Sequence, residues 1–203
     1  HLLSHRRPSW RHCIAALLVW VALSGLPVHP VWAAAPETVS HIDLKRYAGT
    51  WYEAARFPMF FQRKCARDVT ALYSLRADGT VNVDNRCVQA NGSTLQATGQ
   101  ATAVDPSNSQ LEVTFLPEML RWLPVGRGDY WILKIDSQYQ TVLVGSPDRE
   151  YLWILSRQPQ INEKTYLDYV EAARRQRCLG SLAHHAARRA VDMRQLVHKR
   201  SRD

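Results

Sequence analysis

The sequence has few residues of the types that build metal or redox sites. It holds four cysteines and eight histidines among 203 residues. No CxxC pair and no mixed His/Cys cluster has the spacing of a metal or dithiol centre. His184 and His185 are adjacent, but they stand in a basic segment where a solvated pair is the expected arrangement. The sequence therefore predicts no metal ion and no cofactor.

Positive charge is scarce in the middle of the chain, although the formal net charge is +8. Residues 1–35 hold three arginines and no acid, and residues 174–203 hold nine bases and two acids. The remainder has 14 of the 26 bases against 16 of the 18 acids. A nucleic-acid-binding protein carries its basic residues on the folded domain. We therefore expect no nucleic-acid partner.

The N-terminal segment shows the sequence of features of a secretory signal peptide. The basic stretch HRRPSWRH precedes the apolar run CIAALLVWVAL, which is short for a membrane span. Val31 and Ala33 fit the small-residue pattern of a signal-peptidase site, so residues 1–33 are assigned to a cleaved signal peptide, with a retained membrane anchor as the alternative. Leu26 stands where a bacterial lipoprotein would have its cysteine. We therefore predict a periplasmic protein without lipid anchoring to the outer membrane.

Short alternating segments separated by turn residues dominate the rest of the chain. We place strands near residues 50–57, 67–76, 80–89, 94–104, 110–116, 129–136, 140–146 and 151–157. Asp78 and Gly79 form a hairpin turn between the second and third strands. Such a series predicts an all-β fold: an eight-stranded antiparallel up-and-down β-barrel, with a β-sandwich as the alternative.

A helical period follows the last strand. Asn162 is the expected N-cap, because apolar residues then recur along one helix face. The apolar positions are Tyr166, Leu167, Val170 and Ala173. The sequence therefore predicts a C-terminal α-helix. A short helical turn with Asp43 as its cap is expected before the first strand.

Several segments resemble the lipocalin family, in particular the bacterial outer-membrane lipocalins and their relative apolipoprotein D. DLKRYAGTWYEAARFP is similar to the first family motif, and VTALYSLRADGTVNVDN to the second and third strands. GDYWIL and GSPDREYLWILSRQP are similar to the end of the barrel. The resemblance implies a lipocalin β-barrel plus C-terminal helix over residues 41–176. Residues 177–203 do not match the family, and we expect a disordered basic tail there.

The resemblance also implies structural roles at the closed end of the barrel. Residues two apart in a strand share a face, which gives Trp51 and Arg157 positions on the first and last strands that meet when the barrel closes. In lipocalins the matching arginine packs over the matching tryptophan, a cation–π contact. Gly49 leaves room for the chain to turn beneath this pair. Trp51 is therefore expected to be mainly structural.

Four residues with inward parity match pocket-lining positions of the family, with core packing as the alternative: Tyr73, Asn85, Tyr130 and Trp153. Large rings with a few polar groups suit a long-chain amphiphile. The expected partner is a long-chain fatty acid or lysophospholipid, carried or stored in the bacterial cell envelope. The protein is expected to be a monomer or a homodimer.

The loop at residues 115–128 is unusually apolar for a connection between strands. Met119, Leu120, Trp122 and Leu123 either fold back on the barrel or make transient contact with a membrane.

Export places Cys65, Cys87 and Cys178 in an oxidising compartment. Cys65 and Cys87 have inward parity near the open end, and we predict a disulfide between them. A plain two-residue hairpin would place Cys87 opposite Thr70, so this link requires a bulge or a bend. The similarity to apolipoprotein D implies the alternative pairing, Cys65 with Cys178.

Two other functions compete with lipid binding. One is an enzyme that uses a cavity cysteine as nucleophile, but no recognisable activating group accompanies Cys65 or Cys87 in the sequence. The other is an envelope stress protein with no fixed ligand. We expect a binding protein rather than an enzyme, and no catalytic residue is assigned.

Overall fold

The computed structural model describes residues 34–176. The assignments of residues 1–33 to a signal peptide and of 177–203 to a basic tail lie outside the described residues. The strands are β1 (Gly49–Arg56), β2 (Cys65–Leu75), β3 (Val81–Gln89), β4 (Thr94–Ala103), β5 (Gln110–Thr114), β6 (Arg127–Ile135), β7 (Thr141–Gly145) and β8 (Leu152–Ser156). The α-helices are α1 (Leu44–Tyr47) and α2 (Glu163–Arg175), and 3₁₀ turns lie at Phe60–Gln62 and Glu118–Leu120.

The eight strands form a closed antiparallel barrel in chain order, with β8 beside β1. The predicted barrel is therefore confirmed, and the β-sandwich alternative is wrong. The alternation that located β2 also fixes its faces. Ala71 and Tyr73 are buried inside, whereas Leu72 between them is 42% exposed on the outer wall. Period-2 patterning thus decided which side chains meet inside the barrel.

The barrel has two different ends. We call the end formed by α1, Trp51, Arg157 and the connections 76–80, 104–109 and 136–140 the floor. The opposite end, with the connections 57–64, 90–93, 115–126 and 146–151, is the mouth. At the floor, the segment before α1 crosses the barrel end, where the Val39 amide donates to the Ile132 carbonyl at 2.9 Å and the Ile42 amide to the Ser107 carbonyl at 2.8 Å. These bonds hold the N-terminal segment against the barrel.

Helix α2 packs on the outer wall of the barrel. Its N-cap is Asn162, as predicted, whose side chain accepts a hydrogen bond from the Thr165 amide. The predicted buried face is wrong at one position, because Leu167 is 52% exposed while Tyr169 is 2% exposed. Tyr169 lies three residues after Tyr166 and four before Ala173, on the buried helix face, and donates its hydroxyl proton to the Thr141 carbonyl at 2.6 Å.

Within residues 34–176, no helix combines the length and the apolar character that a membrane crossing needs.

Candidate ligand-binding site

A cavity of about 620 Å³ occupies the barrel interior. Its wall is mainly apolar, and β2–β4 contribute small and branched aliphatic residues that face inward. They are Val69, Ala71, Val81, Val83, Leu95, Ala97 and Ala101. The four residues that the sequence assigned to the pocket, Tyr73, Asn85, Tyr130 and Trp153, all line this cavity. The volume lies within the range of small-molecule sites in proteins.

The floor is closed by Trp51 and Arg157. Trp51 has no exposed surface, and the Arg157 guanidinium carbon lies 4.0 Å above its ring centre. The indole nitrogen donates to the Tyr47 carbonyl at 2.9 Å. Arg157 also donates to backbone carbonyls on three sides, those of Thr50, Arg46, Tyr47, Ala48 and Tyr139. The guanidinium therefore satisfies the free carbonyls at the end of α1 as well as covering the indole.

Gly49 makes the close approach of Arg157 possible. Its φ is +104°, a region that side-chain-bearing residues rarely adopt. A Cβ atom at this position would lie 3.0 Å from Nη1 of Arg157. Conformation and space together thus require glycine here.

Three tyrosine hydroxyls meet inside the cavity just above the floor. The Tyr47 and Tyr130 oxygens are 2.7 Å apart, and the Tyr73 and Tyr130 oxygens are 3.1 Å apart. The Tyr47 ring lies 5.1 Å from the Trp51 ring and 5.7 Å from the Tyr73 ring. We call Tyr47, Tyr73 and Tyr130 the hydroxyl cluster.

Burial holds the hydroxyl cluster in its neutral form. Loss of hydration raises the pKa of Tyr73 to about 12. Burial, reinforced by the neighbouring phenols, also raises the pKa values of Tyr47 and Tyr130 well above the usual tyrosine range. All three hydroxyls are therefore hydrogen-bond donors at neutral pH.

Asn85 lies on the same wall as Tyr73, nearer the mouth. It pairs with Ala71 across β2 and β3, whereas Tyr73 pairs with Val83. Two residues along a strand correspond to about 7 Å, so Asn85 is one inward layer above Tyr73. The Asn85 side-chain amide makes no hydrogen bond to another residue in the 34–176 range, so it is available to a polar group in the cavity.

Trp153, on β8, belongs to a chain of polar contacts. Its indole nitrogen donates to Gln62 at 3.3 Å, and the Gln62 amide donates to Glu53 at 3.3 Å. Glu53 also pairs with Arg56. These contacts tie the 3₁₀ turn at the mouth to β1 and β8. The Trp153 ring stacks between Tyr130 and Tyr151, at 6.5 and 6.2 Å between ring centres.

The mouth exposes large apolar side chains. Met119 is 79% exposed, Trp122 75% and Leu120 39%. Of the two alternatives for this loop, folding back on the barrel is therefore wrong for these three, while Leu123 is half-buried. The other side of the mouth carries Phe60 at 67% and Phe61 at 49% exposure.

The cysteine prediction is confirmed: Cys65 and Cys87 form a disulfide with 5.4 Å between Cα atoms. The ladder between β2 and β3 shifts register twice near the mouth, and Asp68 there has a φ of 55°. The two extra residues in β2 bring Cys65 opposite Gln89, two positions from Cys87. The bridge excludes the alternative pairing of Cys65 with Cys178.

His, Cys, Asp and Glu side chains of residues 34–176 form no cluster of three or more that could hold a metal ion.

The sequence reasoning missed several cavity residues. Tyr47 belongs to α1, so strand parity could not place it. Phe60, Phe61 and Gln62 lie in a loop where no period applies, and all four line the cavity. The adjacent aromatic pair in PMFFQRK was the available signal for the second side of the mouth.

A protein-family model described as a lipocalin-like domain matches residues 42–185. Temperature-induced lipocalin-1 of Arabidopsis thaliana is 45% identical over 140 residues, which cover 68% of this chain and 74% of that protein. The outer membrane lipoprotein Blc of Citrobacter freundii is 41% identical over 152 residues, covering 74% and 78%.

Among solved structures, insecticyanin of the tobacco hornworm Manduca sexta superposes with a TM-score of 0.58 at 19% identity. The superposition covers 76% of this chain and 84% of insecticyanin. This likeness shows a shared barrel fold.

Proposed function

Because the chain belongs to the lipocalin family, a family of proteins that bind small hydrophobic ligands, we propose that it carries or stores a long-chain fatty acid or lysophospholipid. The observation that carries the proposal is the apolar cavity of about 620 Å³ between a closed floor and an open mouth. Each CH₂ removed from water contributes about 0.8 kcal/mol, so an acyl chain gains more from such a cavity than a small polar metabolite does.

The polar residues at the rim support an orientation with the head group near the mouth. Arg127 and Asp129 line the cavity there, and Arg127 pairs with Glu112 in an exposed ion pair. An exposed pair of this kind is weak enough to exchange partners with a ligand carboxylate or phosphate. The proposed binding residues along the chain are Tyr73, Asn85, Tyr130 and Trp153.

Lipid extraction tests the proposal. Protein purified from cells should carry acyl lipid in near-equal amount, identified by mass spectrometry, and a fluorescent fatty acid should bind and be displaced by that lipid. The exposed-site variant Trp122→Ala should bind equally, because Trp122 is not part of the cavity wall. Absence of both recovered lipid and fatty-acid binding would contradict the proposal and favour a stress protein without a fixed ligand.

The disulfide argues against the cysteine-enzyme alternative. A nucleophilic cysteine acts as a thiolate. Cys65 and Cys87 are joined to each other, so neither offers a thiolate in this state. We therefore propose binding without catalysis. Turnover of a lysophospholipid or an acyl ester by the oxidised protein would contradict this part.

We also propose that the mouth makes transient contact with a membrane during ligand exchange. Its exposed side chains, Met119, Leu120 and Trp122, belong to one short loop, with the half-buried Leu123 beside them. Replacing Met119 and Trp122 by serine should weaken association with phospholipid vesicles several-fold. Leu72→Ser, on the outer wall of the barrel, is the matched control and should leave it unchanged. Equal loss in both variants would contradict a contact through the mouth.

The proposed location is the periplasm of a bacterial cell, reached by export. The similarity to an outer membrane lipoprotein of Citrobacter freundii supports the envelope. Leu26 in place of a lipobox cysteine supports release rather than lipid anchoring. Cell fractionation and metabolic labelling with radioactive palmitate test this. Covalent labelling of the protein would contradict release.

A further inference from the structure

The hydroxyl cluster has more O–H protons than hydrogen bonds among its own members. Three phenols bring three O–H protons, and only two oxygen–oxygen contacts join them, Tyr47 to Tyr130 and Tyr130 to Tyr73. Each contact uses one proton. At least one proton is therefore left without an acceptor inside the cluster, and no other residue within 34–176 forms a hydrogen bond with these three oxygens.

This surplus donor faces the cavity. Tyr47, Tyr73 and Tyr130 all belong to its wall, and the wall beside them is apolar, including Val83, Leu111 and Trp153. A buried donor without an acceptor is unfavourable, so a purely hydrocarbon ligand end would leave it unsatisfied. Loss of hydration raises the pKa values of the three phenols, so they stay protonated at neutral pH. The surplus proton is therefore not removed by ionisation.

The position of the cluster determines which part of a ligand meets it. The Tyr47 ring lies directly against Trp51, the floor residue, at 5.1 Å between ring centres. The mouth is at the opposite end. The end of an amphiphile that enters first therefore reaches the hydroxyl cluster, while its charged head group stays at the mouth.

We infer that the preferred ligand is an amphiphile with an oxygen atom at its buried end, a hydroxyl or carbonyl group that accepts a hydrogen bond from the Tyr47–Tyr130–Tyr73 cluster. This inference rests on the proposed binding of an acyl amphiphile and narrows its chemical class. The ligand is thus polar at both ends and apolar between them.

The test compares fatty acids with their ω-hydroxy derivatives. Laurate, myristate and palmitate are each paired with the ω-hydroxy acid of the same length, and dissociation constants are measured by displacement of a fluorescent fatty acid. The variant is the triple substitution Y47F/Y73F/Y130F. Single substitutions are insufficient, because any two adjoining hydroxyls still have a surplus proton. Replacing all three hydrogen-bonded tyrosines by phenylalanine keeps the ring shapes and is expected to be close to neutral for stability. Thermal unfolding of the triple variant checks this.

For the best-fitting chain length, the wild-type protein should bind the ω-hydroxy acid at least as tightly as the parent acid. The triple variant should bind the ω-hydroxy acid about tenfold more weakly than the parent, because the buried hydroxyl then lacks a partner. Tyr151→Phe, a cavity tyrosine outside the cluster, is the matched control and should keep the wild-type ratio.

Four outcomes would overturn the inference. If the wild type binds the parent acid but rejects the ω-hydroxy acid, the inference fails and the proposed function stands. If the triple variant weakens both acids equally, the cluster holds a carboxylate that enters first, and the inference is wrong. If neither acid's affinity changes in the variant, a retained water satisfies the surplus proton, and the inference is wrong. If neither acid binds the wild type, the proposed function and the inference fail together.

Discussion

At the floor of the barrel Trp51 is completely buried beneath Arg157, whereas at the mouth Trp122 has 75% of its surface exposed. The two residues have the same side chain and opposite surroundings. At the floor, the Trp51 ring packs against the Arg157 guanidinium and donates a hydrogen bond to the Tyr47 carbonyl. The mouth holds its apolar residues in loops and 3₁₀ turns with few partners.

The two ends therefore contribute differently: the floor contributes to the stability of the barrel, and the mouth gives access to the cavity. A packed, hydrogen-bonded end contributes to the global free energy of unfolding, while loops with few buried contacts open at low cost. A ligand site that must load and release from one side needs both kinds of end. Substitutions of buried side chains at the floor are therefore expected to change stability, whereas substitutions of exposed side chains at the mouth are expected to change membrane contact.

The largest expected effect is at Trp51. Trp51→Ala should lower the free energy of unfolding by about 3–5 kcal/mol, because it leaves a cavity in the most buried part of the floor. Trp122→Ala should change it by less than about 0.5 kcal/mol. Denaturant unfolding of both variants measures the difference between their stability losses. Equal unfolding midpoints would contradict the prediction.

Stability at the mouth depends on the Cys65–Cys87 disulfide. Its 22-residue separation predicts a loss of about 3 kcal/mol on reduction by the chain-entropy estimate. Unfolding is measured with and without reductant. The double variant with serine at both positions is the control and should not respond to reductant. A wild-type protein insensitive to reductant would show that the mouth is held by other contacts.

Arg157→Lys tests the hydrogen bonds of the floor. Lysine keeps the charge but cannot donate in several directions from a plane, so we expect a loss of about 2 kcal/mol in unfolding free energy. Arg127→Lys, in an exposed ion pair at the mouth, should change stability by less than about 1 kcal/mol. Similar losses in the two variants would mean that charge alone, rather than donor geometry, holds the floor.

The smallest of these effects concerns Trp153, which lies between the two ends. Trp153→Ala should weaken acyl-chain binding by about 1–2 kcal/mol, because it removes part of the apolar wall. Trp153→Phe should recover most of the affinity while losing the bond to Gln62. Titration with a fluorescent fatty acid measures both. An unchanged affinity in the alanine variant would remove Trp153 from the ligand site.

Most of the barrel could be predicted from the sequence. All eight strands were placed within two residues of their observed ends, because alternation and turn residues are local signals. The helix was found, but Leu167 was chosen in place of Tyr169. The i, i+3, i+4, i+7 spacing of Tyr166, Tyr169, Val170 and Ala173 was the available signal for Tyr169. Its hydrogen bond to Thr141, a residue 28 positions away, could not be read from the sequence.

Part of the candidate site could also be predicted, because alternation along a strand is a local signal. Strand parity, together with the resemblance to lipocalins, located Tyr73, Asn85, Tyr130 and Trp153 on the inner wall, and parity needs only the neighbours along the strand. It did not locate Tyr47, which reaches the cavity from α1.

The sequence by itself determined the strands and their faces, because alternation and turn residues are local signals, and the resemblance to lipocalins implied the Trp51–Arg157 contact. The Cys65–Cys87 pairing depends on two register shifts in β2, which the sequence left open. The tertiary structure alone decided that Tyr47, Tyr73 and Tyr130 share hydrogen bonds, and that Arg157 satisfies carbonyls around α1. Those contacts join residues far apart in the chain. Their geometry exists only after the barrel has closed and brought the ends of distant elements within a hydrogen bond of one another.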